Sequence, residues 1–338
     1  MPGPFNFESQ WKSARNLVLS ANRQLAWNAA LADAALTQRQ RFDGGAVLEL
    51  TKTRRTDIDY AGKGTAFATN GQATSFDTKL SGFKAEGSPW TLGWCLAFLM
   101  GKDTVVGAVS PYTHTFTFDE STRTAVPTTI YMEDTEALKY KVPDFCLSDV
   151  TITINEVGAV MVEMNGIGTG RQIMGAMAIL PALAAESYVL GSDATLQFGP
   201  VGALQNLTGR HMSTTLKLDN QASVHKAPGG GQYGIFVRKG NPKFSLTTTI
   251  AAKDVDDVYL LHQNDTASGY NLTVNSGAAA QLAISIPQMQ TKTTKLGFDG
   301  EMEVWQIEAD ETTCNQVAGV PPVSLQVISA VAAYLVGA

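Results

Sequence analysis

Apolar and polar residues alternate with a period of two through most of the chain after Gly44-Gly45. In DVTITIN (149–155), Val150, Ile152 and Ile154 fall on one side and Thr151 and Thr153 on the other. In KFSLTTTI (243–250), Phe244, Leu246 and Ile250 oppose Ser245, Thr247 and Thr249. Successive side chains of a strand point to opposite faces, so each segment predicts a strand with one buried face. Gly, Asn and Asp punctuate these runs where turns are needed. Two internal segments break the alternation, WTLGWCLAFLMG (90–101) and AKDVDDVYLLHQND (252–265), the latter opening with carboxylates that suit a helix N-terminus. Both predict short helices. Residues 8–40 are rich in Ala, Leu, Gln and Arg, with Trp11, Leu17, Leu19, Leu25 and Trp27 at mixed spacing, which predicts a partly helical N-terminal arm.

The order of these elements repeats. LELTKTRRTDIDYAGKGTAFATNGQATSFDTKL (48–80) and LKLDNQASVHKAPGGGQYGIFVRKGNPKFSLTTTI (216–250) each read as a strand, a long Gly-bearing polar loop and a Thr- and Phe-bearing strand. Each is followed by one of the short helices, then by a Thr-bearing strand (HTFTF, 114–118; YNLTV, 270–274) and by TTIYM (128–132) or LAISI (282–286). Each closes on a strand pair, 150–168 or 292–310, with tight turns near Gly158 and Gly300. Self-similarity of this length points to a duplicated unit. The expected organisation is an arm over 1–44, a first β domain over 45–185, a second over 186–318 and an apolar tail over 319–338. The small apolar residues of 173–188 would join the copies.

Composition narrows the function. The 338 residues are 44% hydrophobic, enough to give each of two domains a core. A formal charge of −6 lacks the basic stripe that proteins gripping nucleic acid use. Cys95, Cys146 and Cys314 are too far apart for a disulfide framework or a CxxC metal pair. The N-terminus carries charges where a signal peptide needs an apolar run. The apolar run VPPVSLQVISAVAAYLVGA (320–338) opens with two prolines and carries Ser324, Gln326 and Ser329. A membrane span takes about 20 mostly apolar residues, so this run reads as a packed arm or a strand against a neighbouring subunit.

No constellation for catalysis stands out. His114, His211, His225 and His262 lie in separate elements without metal-ligand spacing. GIGTGR (166–171) lacks the third glycine of a dinucleotide fingerprint, and AGKGT (61–65) lacks the upstream glycine of a phosphate loop. The acidic groups in 56–60, 254–259 and 300–311 do not follow the calcium-loop pattern. No enzyme, metal or cofactor is expected, and helix caps, ion pairs or a charged surface account for the carboxylates.

The segment GGAVLELTKTRRTDIDYAGKGTAFATNGQATSFDTKLSGFKAEGSPWTLGWCLAFLMG (44–101) resembles the two-domain tail tube proteins of long-tailed bacteriophages. Its strand, its Thr-Asp-x-Asp-Tyr-Ala-Gly-Lys-Gly-Thr loop, its Thr-rich strand and its Trp-bearing helix carry the likeness, and YKVPDFCLSDVTITINEVGAVMVEMNGIGTGR (140–171) is similar to the family's strand pair. The resemblance covers roughly residues 40–312. It implies a mainly β fold of two tandem tail-tube-like β-sandwich or half-barrel domains, each with a short flanking helix. It also implies a virion tail component, assembled in the host cytoplasm, whose subunits close into rings. Stacked rings would enclose a lumen that holds the tape-measure protein and later conducts DNA, with terminator and baseplate proteins at the ends. Two domains per chain imply a trimer with pseudo-six-fold symmetry.

On that reading the long loops 51–73 and 219–241 stack ring on ring through Arg54, Arg55, Asp57, Asp59, Lys63, His225, Lys226, Arg238 and Lys239. Glu156, Glu163, Glu301 and Glu303, from the closing strand pairs, are the candidate lumen carboxylates. A virion decoration or adhesion module would share the Thr-rich strands, but Trp90, Trp94 and Trp305 sit in patterned elements and not in an exposed aromatic cluster. A carbohydrate-active β-enzyme would need two placed carboxylates across a cleft.

Overall fold

The computed structural model describes residues 16–43, 46–56, 71–133, 138–228, 231–253, 257–300, 302–317 and 319–337. The chain begins with β1 (Asn16–Leu19), β2 (Gln38–Gln40), β3 (Val47–Thr56), β4 (Gly71–Glu86) and helix α1 (Pro89–Met100). Next come β5 (Gly101–Val106), β6 (Tyr112–Phe118), β7 (Thr128–Glu133), β8 (Lys139–Asn155), β9 (Met161–Gly168) and β10 (Ile173–Met174). The second half holds β11 (Ala194–Pro200), β12 (Gln205–Asn206), β13 (His211–Asp219), β14 (Ser223–His225), β15 (Phe236–Arg238), β16 (Lys243–Ala251) and helix α2 (Asp257–Gln263). It ends with β17 (Ser268–Asn275), β18 (Gln281–Met289), β19 (Thr293–Asp299), β20 (Met302–Asp310) and β21 (Ser324–Ser329). Both predicted helices are present, the second shorter than its segment.

The fold is mainly β, with two antiparallel sheets sharing one core. In the first sheet, eight strands run in the order β3-β4-β9-β8-β13-β16-β20-β19. The first four and the last four follow one pattern: a strand, its hairpin partner, then a closing pair. They are joined by antiparallel pairing of β8 with β13, which sets Ile152 opposite Leu216 and Val150 opposite Leu218. The second sheet runs β12-β11-β17-β18-β21-β6-β5 and also spans both halves. Buried side chains of the two sheets meet in one cluster, including Ile152, Leu216 and Leu246 from the first and Leu196, Leu272, Ile284 and Val327 from the second. The Tyr270 hydroxyl of β17 crosses between the sheets, 3.1 Å from Thr214 Oγ1 and 3.0 Å from Thr248 Oγ1.

Helix α1 is apolar all round because it is enclosed all round. Every residue except Trp90 is buried. Ser88 caps its first turn by accepting from Thr91 N–H at 3.2 Å, Pro89 occupies the first turn, and Gly101 ends it with φ 84°. The Trp94 indole donates to Ser20 O at 2.7 Å, tying the helix to the N-terminal segment.

Over its described residues, 16–43, that segment is not α-helical. Residues 16–43 form β1 and β2 with a single three-residue 3-10 turn at Asp33–Ala35. All four residues of β1 are buried, and β1 pairs with both β2 and β7. Local helix propensity is a weak prior, and here the edge of β7 overrides it. Farther on, Gln24 and the backbone of Asn28 reach the buried carboxylate of Asp144 at 2.8 and 2.7 Å, and Thr169 Oγ1 donates to its other oxygen at 2.8 Å. Asp144 has φ 58° at the bend where β8 leaves β7 for β9 and β13.

The C-terminal run is also a strand, but within its own chain. β21 lies between β18 and β6, so it knits the two halves of the second sheet. Leu325 and Val327 point into the core, and no helix among the described residues is long and apolar enough to cross a membrane. Beyond β21, the Val331 carbonyl accepts from His114 Nε2 at 2.8 Å, while His114 Nδ1 lies 2.9 Å from Asp103 Oδ2. Burial alone would lower the pKa of His114, but the Asp103 carboxylate and the Val331 carbonyl outweigh it and raise it above 6.5.

Two predictions follow from the tail. Leu325→Ala should destabilise the protein by about 2–5 kcal/mol in urea unfolding, the usual cost of emptying a fully buried leucine site. Because the folded state raises the His114 pKa, its contribution is complete below the unfolded value of about 6.5 and is lost as pH rises through the folded value. The melting temperature should therefore decline on the alkaline side of that window, and His114→Gln should remove this component of the decline.

Candidate assembly surface

Cross-strand registry assigns each residue of the first sheet to a face. The core-side face carries the row Val162, Ile152, Leu216, Leu246, Ala309. The opposite face carries hydroxyls and paired charges. One of its rows reads Lys84, Glu163, Thr151, Lys217, Ser245, Asp310, and another contains Thr153, Thr215, Thr247 and Glu308. Lys84 Nζ lies 2.5 Å from Glu163 Oε1, which raises the pKa of the lysine.

The proposed lumen carboxylates do not form one lining. Glu163 stands on the polar face, whereas Glu303 lies opposite Phe298, on the core-side face. Glu156 is exposed in the turn after β8, its N–H bonded to Met212 O, and Glu301 lies outside the described residues.

Among the described residues, β3 and β19 each pair with one strand only, leaving the eight-strand run with two open edges. On β19, Leu296 and Phe298 are 52% and 71% exposed although they belong to the core-side face. Leu50 of β3, on the same face as buried Leu48, is also exposed. Apolar side chains on an open strand edge are an association hazard unless something pairs with them. Such an edge carries no alternation signal of its own, so it was not visible until the strand order was known.

The two long loops differ from their sequence expectation. Residues 51–56 and 71–73 are strand, extending the β3–β4 hairpin. Arg54 is exposed on it; Asp57, Asp59 and Lys63 lie outside the described residues, as does the Arg55 side chain. The 219–241 segment folds back across the first half. Its β14–β15 ribbon places Phe236 against Trp27, with ring centroids 6.2 Å apart, and against His225 at 4.7 Å. Tyr233 stacks on Phe76 at 5.4 Å, and Phe76 N–H donates to Gln232 O at 2.8 Å. Lys226 pairs with Asp77 at 2.8 Å, Arg238 Nε donates to Ser223 Oγ at 3.1 Å, and Lys239 Nζ donates to Asp119 O. These cations are engaged within the chain. The aromatic partners come from distant segments, so neither loop's local sequence announced the packing.

The comparison that decides the family is a match of the phage tail tube protein family over residues 19–312. The chain belongs to that family. No curated protein matches it at a significant level. The match spans both halves of the tube protein and all of the first sheet's eight-strand run. It stops before β21, the strand that ties the halves of the second sheet.

Lys226 and Asp77 are both partly solvated, and exposed pairs contribute about 0–1 kcal/mol. Asp77→Ala should therefore lower the unfolding free energy by no more than about 1 kcal/mol, measured by urea titration. Tyr233→Ala, which removes an aromatic stack, should cost at least as much.

Proposed function

We propose that the chain is the ring-forming subunit of a phage tail tube, with three copies closing head to tail through β19 of one and β3 of the next. The support is the junction already made inside the chain. Across β8–β13, the last strand of one four-strand set pairs antiparallel with the first strand of the following set. Counting antiparallel steps from β3 to β19 leaves β19 running opposite to β3, so the same junction can be repeated between chains. A heterologous contact of this kind closes into a ring when the rotation permits. With two four-strand sets per chain as the repeated units, three chains give pseudo-six-fold symmetry.

In this reading the hydroxyl- and charge-bearing face of the first sheet lines the bore. Carboxylates such as Glu163 and Asp310 stand there in ion pairs with Lys84 and Lys292, and the whole chain carries −6. A surface of this kind offers DNA few phosphate contacts, so transit would meet little resistance. The lumen would hold the tape-measure protein before DNA passes. Rings would stack through the β3–β4 hairpin ends, terminator and baseplate proteins would cap the tube, and assembly would take place in the host cytoplasm.

The double variant Leu296→Asp/Phe298→Asp tests the edge. It places charges on a strand edge, a standard block to edge pairing. Negative-stain images and sedimentation should show rings or tubes for the parent chain and folded monomers for the variant, with an unchanged far-ultraviolet spectrum. Tubes formed by the variant at the parent's concentration would sink the β19–β3 junction.

A further inference from the structure

We infer that the junction between copies repeats the internal seam residue for residue: Leu296 of β19 opposite Leu48 of the next copy's β3, Lys295 opposite Glu49, and Thr294 opposite Leu50. This rests on the ring reading above and assigns the register of its contact. Pairing inside one chain aligns both open edges with the seam.

Leu48-Glu49-Leu50 of β3 and Leu216-Lys217-Leu218 of β13 begin the two long hairpins, where Leu48 faces Leu80 and Leu216 faces Leu246. Those partners stand opposite Gly166 of β9 and Ala309 of β20. Back along each closing strand, by the same number of residues, lie Val162 and Trp305, which face Ile152 of β8 and Leu296 of β19. Leu296 therefore holds the place on β19 that Ile152 holds on β8, and Leu48 holds the place of Leu216. Across the seam Ile152 faces Leu216, Thr151 faces Lys217 and Val150 faces Leu218. Carrying those pairs to the open edges gives the register stated above, with Gly297 opposite Val47 and Phe298 opposite Ala46.

Charge and size both agree with this register. Within its own hairpin Glu49 stands opposite Lys79, and Lys295 Nζ lies 3.6 Å from Glu308 Oε1. Setting Glu49 opposite Lys295 therefore continues a row in which the sign of charge alternates, and opposite charges placed directly across a sheet are favourable. Bulky side chains meet small ones, Phe298 with Ala46 and Val47 with Gly297. The apolar residues left exposed on the two edge strands, Val47, Leu50, Leu296 and Phe298, all fall inside the overlap. Sliding the strands by two residues would keep every side chain on its own face. It would also set Glu49 opposite Gly297 or Thr293 and separate it from Lys295.

The test uses the full-length chain carrying Lys295→Cys together with Glu49→Cys, Thr51→Cys or Val47→Cys. A fourth protein, Leu50→Cys/Thr294→Cys, probes the same register and keeps both charges. Residues 47, 49, 50, 51 and 295 are exposed in the single chain, and the native Cys95, Cys146 and Cys314 are buried. Assembled material, checked by negative stain, is oxidised mildly and run on denaturing gels without reductant. Directly opposite Cβ atoms lie about 4.5–5.5 Å apart, close to disulfide reach, whereas positions two residues off lie about 7–8 Å away. Covalent dimers and trimers should therefore form roughly tenfold faster in Glu49→Cys/Lys295→Cys and Leu50→Cys/Thr294→Cys than in the other two. Faster linking through Thr51→Cys or Val47→Cys would overturn the register and leave the β19–β3 junction standing. Tubes in which none of the four proteins links would overturn the junction and the register together, and a parent chain that stays monomeric would overturn the ring reading itself.

Discussion

The pairing of β8 with β13 is the constraint on which the rest of the molecule depends. It joins two four-strand sets edge to edge, gives both the same strand directions, and buries Ile152 and Leu216 where two open edges would otherwise lie. Tyr270 bridges to Thr214 and Thr248 close to that seam, and α1 packs against β8 from the core side. The second sheet repeats the join on the opposite layer with a different device: β21 lies between β18 and β6, so neither half has a complete second sheet without the C-terminus.

This double join makes the halves one mechanical unit, while the outer edges of the first sheet stay open. The two kinds of edge are chemically alike. Leu296 and Phe298 present the same kind of apolar side chain that Ile152 and Ile154 bury at the internal seam. A strand edge left open by the fold and furnished with apolar side chains is costly unless a partner covers it. In the ring proposed above the partner is another copy, and the internal seam is the pattern it would copy.

The strands were legible in the sequence wherever one face is buried and the other wet. Thr151, Thr153, Ser245, Thr247 and Thr249 mark the polar face that the structure shows. Helix α1 was legible because its apolar segment broke the strand alternation, and the long-loop hairpins became β3–β4 and β13–β16, whereas TTIYM and LAISI, read as equivalents, became β7 of the first sheet and β18 of the second. Tertiary partners decided the rest. Residues 16–19 became a strand because β7 had an edge to offer, and Leu325 and Val327 became core because β6 and β18 lay apart. The 219–241 segment folded back because Phe76 and Trp27 were there to receive its aromatics, which none of its own residues could announce. The candidate lumen residues show the same limit. Glu303 and Glu163 both come from closing strand pairs, yet registry places them on opposite faces.

The central claim is that the open edges of β3 and β19 become a copy of the β8–β13 seam on assembly. Amide hydrogen exchange, read in the dispersed chain and in assembled tubes, addresses it directly because pairing protects backbone N–H groups whatever the side chains do. Slow exchange at β8 and β13 in both states, with β3 and β19 changing from fast to slow on assembly, is the expected result. Assembled tubes in which the β3 and β19 amides exchange as fast as in the dispersed chain would contradict it.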